Sequence, residues 1–192
     1  VRSPGGGDNL YLSSIVALKP DNGEYVWHYQ VTPRDNWDYT ATQQLVLADI
    51  ELEGQIRSVI MQAPKNGFFY VLDRLTGELL SADAFAKTTW ATHVDIGSGK
   101  PIETKEADYQ NNGPSYLWPS PYGAHNWQPM SYNPETRLMY IPVQNMPHYF
   151  AADEQPVVHR INRWNTGVDL NEARHPDSCL LYTSPSPRDQ LQ

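Results

Sequence analysis

Cysteine is almost missing from this sequence. Cys179 is the single one in 192 residues, so no internal disulfide can form and cysteine usage says little about the redox compartment. A CxxCH motif is absent, which excludes covalently attached haem in this segment. Positive charge is scarce: 14 Lys and Arg stand against 22 Asp and Glu, a net charge of -8. Phosphate binding needs a basic footprint, so nucleic acid is not expected as a partner. Long apolar runs are missing, so no membrane span is expected in this segment. The opening VRSPGGGDNLYL has no signal-peptide core and no initiator Met, and the chain is therefore expected to begin inside a longer protein. The glycine-rich PGGGDN (residues 4–9) precedes no helical pattern, so it reads as a connector and not as a phosphate cradle. His28, His93, His125, His148, His159 and His175 show no metal-ligand spacing and are expected to be surface or satisfied core residues.

Helical periodicity is also rare, whereas turn formers and aromatics are plentiful: Pro 16, Gly 12, Trp 6 and Tyr 12. That balance predicts an all-β chain rich in loops. Strand-like runs recur between turn signals: LYLSSIVAL (Leu10–Leu18), YVWHYQ (Tyr25–Gln30), QLVLADI (Gln44–Ile50), RSVIMQA (Arg57–Ala63), FFYVLD (Phe68–Asp73), TWATHVD (89–95) and RLMYIPVQ (Arg137–Gln144). Val59-Ile60-Met61 is continuously apolar, as in a strand buried on both faces. Asn66-Gly67 predicts a type I′ hairpin turn. Glu103 to Gly123 is long and polar and reads as an extended surface excursion of a length that often carries function.

Strands linked in sequence order suggest a meander, hence blades or a barrel. ALKPDNGEYVW (Ala17–Trp27) and VLDRLTGELLS (Val71–Ser81) form a faint repeat. Gly23 and Gly77 occupy the same offset, where a tight turn needs positive φ. Trp27 closes the first copy and is expected to fill a seam between blades; Ser81 stands in its place in the second.

The composition changes at the C-terminus. CLLYTSPSPRD (Cys179–Asp189) resembles the conceptual translation of a sequencing-library adapter. The expected organisation is therefore one partial propeller domain over residues 1–178 and a non-native tail over 179–192, the alternative for the tail being a disordered terminus.

ALKPDNGEYVW is similar to the tryptophan-docking motif of eight-bladed quinoprotein dehydrogenases, with Lys19 and Asn22 in place of the usual Asp and Thr. SPGGGDNLYLSSIVAL, WHYQVTPRDNWDYTATQQ, APKNGFFYVLDRLTGE, NWQPMSYNPETRLMYIPVQN and WNTGVD extend the resemblance, in order, across residues 1 to about 178. The chain resembles the middle of a pyrroloquinoline quinone (PQQ)-dependent alcohol dehydrogenase. The fold implied is a partial eight-bladed β-propeller, about three blades, with tryptophan-docking motifs. The activity implied is oxidation of primary alcohols to aldehydes in the periplasm, with a cytochrome c as electron acceptor and Ca²⁺ beside the PQQ. A haem c in a further C-terminal domain is compatible with it.

The resemblance also assigns residues. Asp38 in NWDYT matches the catalytic base and a Ca²⁺ ligand, since a carboxylate can take the hydroxyl proton and suits a hard cation. Lys65 in APKNG matches the cation beside the quinone oxygens. Asn126 and Trp127 in HNWQPM match residues lining the cofactor edge, one by hydrogen bonding and one as a flat wall. Lanthanide-using relatives carry an additional Asp where Thr40 stands, so a divalent ion is expected here. Each has a plainer reading: Asp38 as a turn residue, Lys65 as a solvated lysine, Trp127 as blade core. Asp35 is expected to be structural. A Glu and an Asn completing the Ca²⁺ site, and a vicinal disulfide, are implied before Val1, so the chain alone is expected to be inactive. The rival functions are a non-enzymatic propeller scaffold and a quinoprotein acting on polyols or sugars.

Overall fold

In a computed structural model, residues 6–52, 54–153 and 167–169 are described, together with the strand at 180–183. Nearly all regular structure is antiparallel strand. β1 (Ser14–Leu18) pairs with β2 (Tyr25–Gln30). The chain then builds one four-stranded meander from β3 (Val46–Leu52), β4 (Gln55–Gln62), β5 (Phe68–Asp73) and β6 (Leu79–Ala84), paired in sequence order. β7 (Ala91–Asp95) and β8 (Lys100–Glu103) form a further hairpin. A single helical turn, α1 (Tyr109–Asn112), precedes β9 (Ser115–Leu117). β10 (Ser131–Asn133) pairs with β11 (Leu138–Tyr140), and β9 pairs with β13 (His148–Phe150). β12 (Pro142–Asn145) pairs with β14 (Leu180–Thr183). β14 lies inside the stretch expected to be a tail; strand pairing is made by backbone groups and is indifferent to the origin of the sequence. This is the meander of a propeller blade with parts of its neighbours.

Several expected strands differ at their ends. Residues 10–13 form a turn ahead of β1, and RLMYIPVQ breaks at Ile141 into β11 and β12. Val59-Ile60-Met61 is buried throughout, and its alternation serves two cores. Ile60 joins the aromatic-rich cluster with Trp27, Trp37 and Trp90, while Val59 and Met61 pack with Val71 on the other face. A strand between two apolar layers has no polar position to alternate with.

The repeat is a backbone repeat. In the turn at 19–24 the Lys19 N–H donates to the Glu24 carbonyl and the Gly23 N–H to the Lys19 carbonyl, each at 2.8 Å. The turn at 73–78 repeats this with Asp73, Glu78 and Gly77. A third turn, at 95–100, has the Gly99 N–H on the Asp95 carbonyl at 2.8 Å and adds a further copy to the repeat of two. Trp27 crosses from β2 to the second turn. Its Nε1 donates to the Arg74 carbonyl at 3.2 Å, and a Cβ on Gly77 would lie 2.7 Å from its ring. Gly77 also holds φ +77°, so glycine is required there for space and for conformation.

Hydrogen bonds from Ser98, first its side chain and then its N–H, hold the Asp95 carboxyl below the ordinary carboxylate range. A lowered folded value contributes stability above the unfolded value, lost as pH falls through the folded one. Asp95→Asn is therefore expected to flatten the acid limb of a melting-temperature profile below about pH 4, while leaving the limb above it unchanged.

Among the described residues no helix is long and apolar enough to cross a membrane.

Candidate active site

The segment NWDYT follows β2 without forming a strand of its own. Trp37 and Tyr39 are fully buried and stack with centroids 5.8 Å apart. Asp38 between them is turned outward with φ +66°. One carboxylate oxygen of buried Asp35 accepts the N–H groups of both Trp37 and Tyr39, each at 3.0 Å. Asp35 thus pins the backbone on either side of Asp38, a structural role. Burial, and then the negative charge of Asp35, push the Tyr39 hydroxyl well above its ordinary pKa, so it remains a donor. It donates to the Pro119 carbonyl.

The stretch from Glu103 to Gly123 is a cap over this segment and not a surface excursion. Ala107, Tyr109 and Leu117 are buried in the main core. Trp37 Nε1 donates to the Ala107 carbonyl at 3.1 Å, and the Tyr109 hydroxyl donates to the Asn36 carbonyl at 3.0 Å. Many of its polar side chains are exposed, whereas its Ala107 and Pro119 carbonyls accept from buried Trp37 and Tyr39.

Lys65 sits in the five-residue connection between β4 and β5. The expected two-residue type I′ turn does not form: Gly67 has φ +92°, but Asn66 is not in the positive-φ region. Asn66 is instead fully buried. Its Nδ2 donates to the Val31 carbonyl at 3.0 Å, its Oδ1 accepts the Phe68 N–H, and its carbonyl accepts Trp90 Nε1 at 2.8 Å. Those bonds open the turn and place Lys65 at its bend. The Lys65 stem runs against Gly123, where an added Cβ would lie 2.7 Å from Lys65 Cβ and from the His125 carbonyl oxygen. The Ala124 N–H donates to the Lys65 carbonyl at 2.9 Å.

Asp38 and Lys65, 27 positions apart, meet. Lys65 Nζ lies 3.0 Å from Asp38 Oδ2, with side-chain exposures of 11% and 54%. Oδ1 of Asp38 makes no hydrogen bond among the described residues. The carboxylate therefore has one oxygen committed to orientation and one open. Asn126 and Trp127 lie on the loop that begins at Gly123. Asn126 Nδ2 donates to the Tyr122 carbonyl at 2.8 Å, and no hydrogen bond joins it to Asp38 or Lys65. Trp127 is 81% exposed, which removes the reading of it as blade core. Thr40 Oγ1 is 3.4 Å from Thr42 Oγ1. His125 is a satisfied core histidine, one of the two outcomes expected for it. Its Nδ1 is 2.6 Å from the Ala63 carbonyl and its Nε2 2.6 Å from that of Gln128, tying the Lys65 connection to the Asn126 loop. His159 and His175 lie outside the described residues.

The Lys65 ammonium, with its sheltered stem beside the open Asp38 oxygen, fits the oxygens of an anionic quinone. For Ca²⁺ the pair offers a single ligand, the Asp38 carboxylate. That ion takes 6–8 oxygens, and no group of three or more His, Cys, Asp or Glu that could hold a metal occurs among the described residues.

The fold and the sequence define a PQQ β-propeller. The family described as glucose/ethanol/alcohol dehydrogenase, beta-propeller domain, matches residues 2–82. Quinohemoprotein alcohol dehydrogenase ADH IIB of Pseudomonas putida is 54% identical over 181 residues, 94% of this chain and 26% of that protein. The 1-butanol dehydrogenase (cytochrome c) of Thauera butanivorans is 56% identical over 195 residues, 96% and 28%. The crystal structure of quinohemoprotein alcohol dehydrogenase from Comamonas testosteroni superposes with a TM-score of 0.83 at 48% identity, covering 94% of this chain and 28% of that one. The chain spans about a quarter of the length of the curated relatives it matches.

Proposed function

We propose that this chain supplies the base and the quinone-facing cation of a PQQ-dependent dehydrogenase that oxidises primary alcohols to aldehydes. The observation that carries the proposal is the Asp38–Lys65 pair at 3.0 Å, with one carboxylate oxygen open. Bound PQQ would supply the two-electron acceptor for the hydride. Asp38 Oδ1 takes the hydroxyl proton as that hydride leaves the carbinol carbon, so the alcohol loses two electrons and two hydrogens. Lys65 orients Oδ2 and presents positive charge where oxyanion character develops. Asn126 and Trp127 supply an amide and a flat apolar face to the cofactor edge. Asp38 supplies one ligand to Ca²⁺.

Four features remain part of the same reading. The electrons pass to a cytochrome c, as the name of the Thauera butanivorans relative suggests. A haem c domain accompanies the propeller, as the quinohemoprotein names suggest. The location is periplasmic, and cell fractionation checks it. The tail from Cys179 is non-native, which the underlying nucleotides check directly. The metal reading also has its own test. Thr40→Asp adds a carboxylate beside Asp38 and is expected to shift selectivity from Ca²⁺ toward a trivalent lanthanide, measured by competitive terbium luminescence titration.

The deciding experiment is alcohol-dependent dye reduction by a protein of full family length carrying these residues, loaded with PQQ and Ca²⁺. Primary alcohols, polyols and sugars are compared. Preferential turnover of primary alcohols is expected. Preference for polyols or sugars replaces the substrate class, and no reduction with any of them overturns the enzymatic reading in favour of a scaffold.

A further inference from the structure

Two buried side chains outside the reacting set hold the Asp38 segment, one from each side. Asp35 holds it upstream, through the N–H groups of Trp37 and Tyr39. Gln62, the last residue of β4, holds it downstream. It is 1% exposed, and its Nε2 lies 2.9 Å from the Ala41 carbonyl and 2.8 Å from the Gln43 carbonyl. Both neighbours are acceptors, so the amide orientation is forced: nitrogen must face them. Its Oε1 is left buried with no hydrogen-bond partner. A buried acceptor without a donor costs free energy, so an unfavourable atom accompanies the two bonds.

We propose that Gln62 is a positioning residue for the base. It ties the Ala41–Gln43 segment to the strand end that delivers Lys65 three residues later, and so sets how Asp38 and Lys65 meet. The inference rests on the reading of Asp38 as the base. Among the described residues, no other side chain of β4 or of the β4–β5 connection hydrogen-bonds residues 39–45. Glutamate at this position keeps the shape but sets an acceptor against two acceptors. Methionine keeps the volume without any donor.

The test uses the full-length enzyme loaded with PQQ and Ca²⁺. Gln62→Met and Gln62→Glu are compared with the parent by kcat, KM for the alcohol, PQQ affinity and amide hydrogen exchange across residues 38–44. A displaced base is expected to lower kcat by about 10–100-fold with KM and PQQ affinity unchanged, and to raise exchange in that segment. In an Asp38→Asn background, Gln62→Met is expected to lower kcat no further, because the group it positions has gone. If neither variant folds, Gln62→Asn retains the donor but withdraws it by one methylene, and an intermediate loss is expected. Parent-like kcat in Gln62→Met, or an undiminished further loss in the Asp38→Asn background, overturns the positioning role. Full activity in Asp38→Asn alone overturns the reading on which it rests.

Discussion

Replacing Asp38 by asparagine is expected to lower kcat by about 10²–10⁴-fold, the range a general base supplies, with the melting temperature unchanged. The stability half of this outcome follows from local geometry. Asp38 holds φ +66°, a region that asparagine enters as readily as aspartate. Its side chain is 54% exposed, so no core contact is lost. The catalytic half follows from the ammonium. Lys65 only donates, so the new amide must turn its oxygen toward Nζ and its NH₂ toward the open side. A donor then stands where a proton acceptor is needed. With Ca²⁺ kept saturating to offset the lost carboxylate ligand, PQQ affinity, measured by equilibrium dialysis, is expected to stay within a few-fold of the parent, because Lys65, Asn126 and Trp127 are untouched. Parent-like turnover in this variant removes Asp38 from the chemistry.

Gly123→Ala is expected to damage both stability and turnover although position 123 carries no functional group. At φ +86° an alanine is strained. Its Cβ would press on the Lys65 stem and on the His125 carbonyl oxygen, both at 2.7 Å. Strain and overpacking together are expected to cost about 2–4 kcal/mol, read as a lowered denaturation midpoint. Relief requires Lys65 to move, and a displacement of about 1 Å at a reacting pair costs on the order of 10²-fold in rate. The two losses are expected together. A variant that loses stability but retains full kcat would show that the Lys65 ammonium holds its place independently of its stem.

What the sequence showed and what it hid divide along a physical line. The β-rich class, the core of β4 and the turns at Gly23 and Gly77 were legible, because alternation and glycine placement are local signals. Asp38 and Lys65 were legible through a family resemblance and not through spacing; 27 positions separate them and no periodicity joins them. The residues that arrange them were invisible. Gln62 looked like a strand end, Asn66 like half of a hairpin dipeptide, and His125 like one of six unremarkable histidines. Each acts on main-chain carbonyls, and a carbonyl leaves no mark in a sequence. The capping stretch at 103–123 was misjudged for the same reason, since its tie to Trp37 runs through the Ala107 backbone.

Trp27 and Tyr29 stand two apart on β2 and reach two different hairpins. The Trp27 ring lies on Gly77, and the Tyr29 hydroxyl donates to the Gly99 carbonyl at 2.7 Å. Because successive residues of a strand face opposite ways, inserting or deleting one residue ahead of Trp27 in β2 would rotate both rings out at once. The two joints are thus a single mechanical coupling, and damage upstream of it would loosen distant hairpins in concert and not one by one.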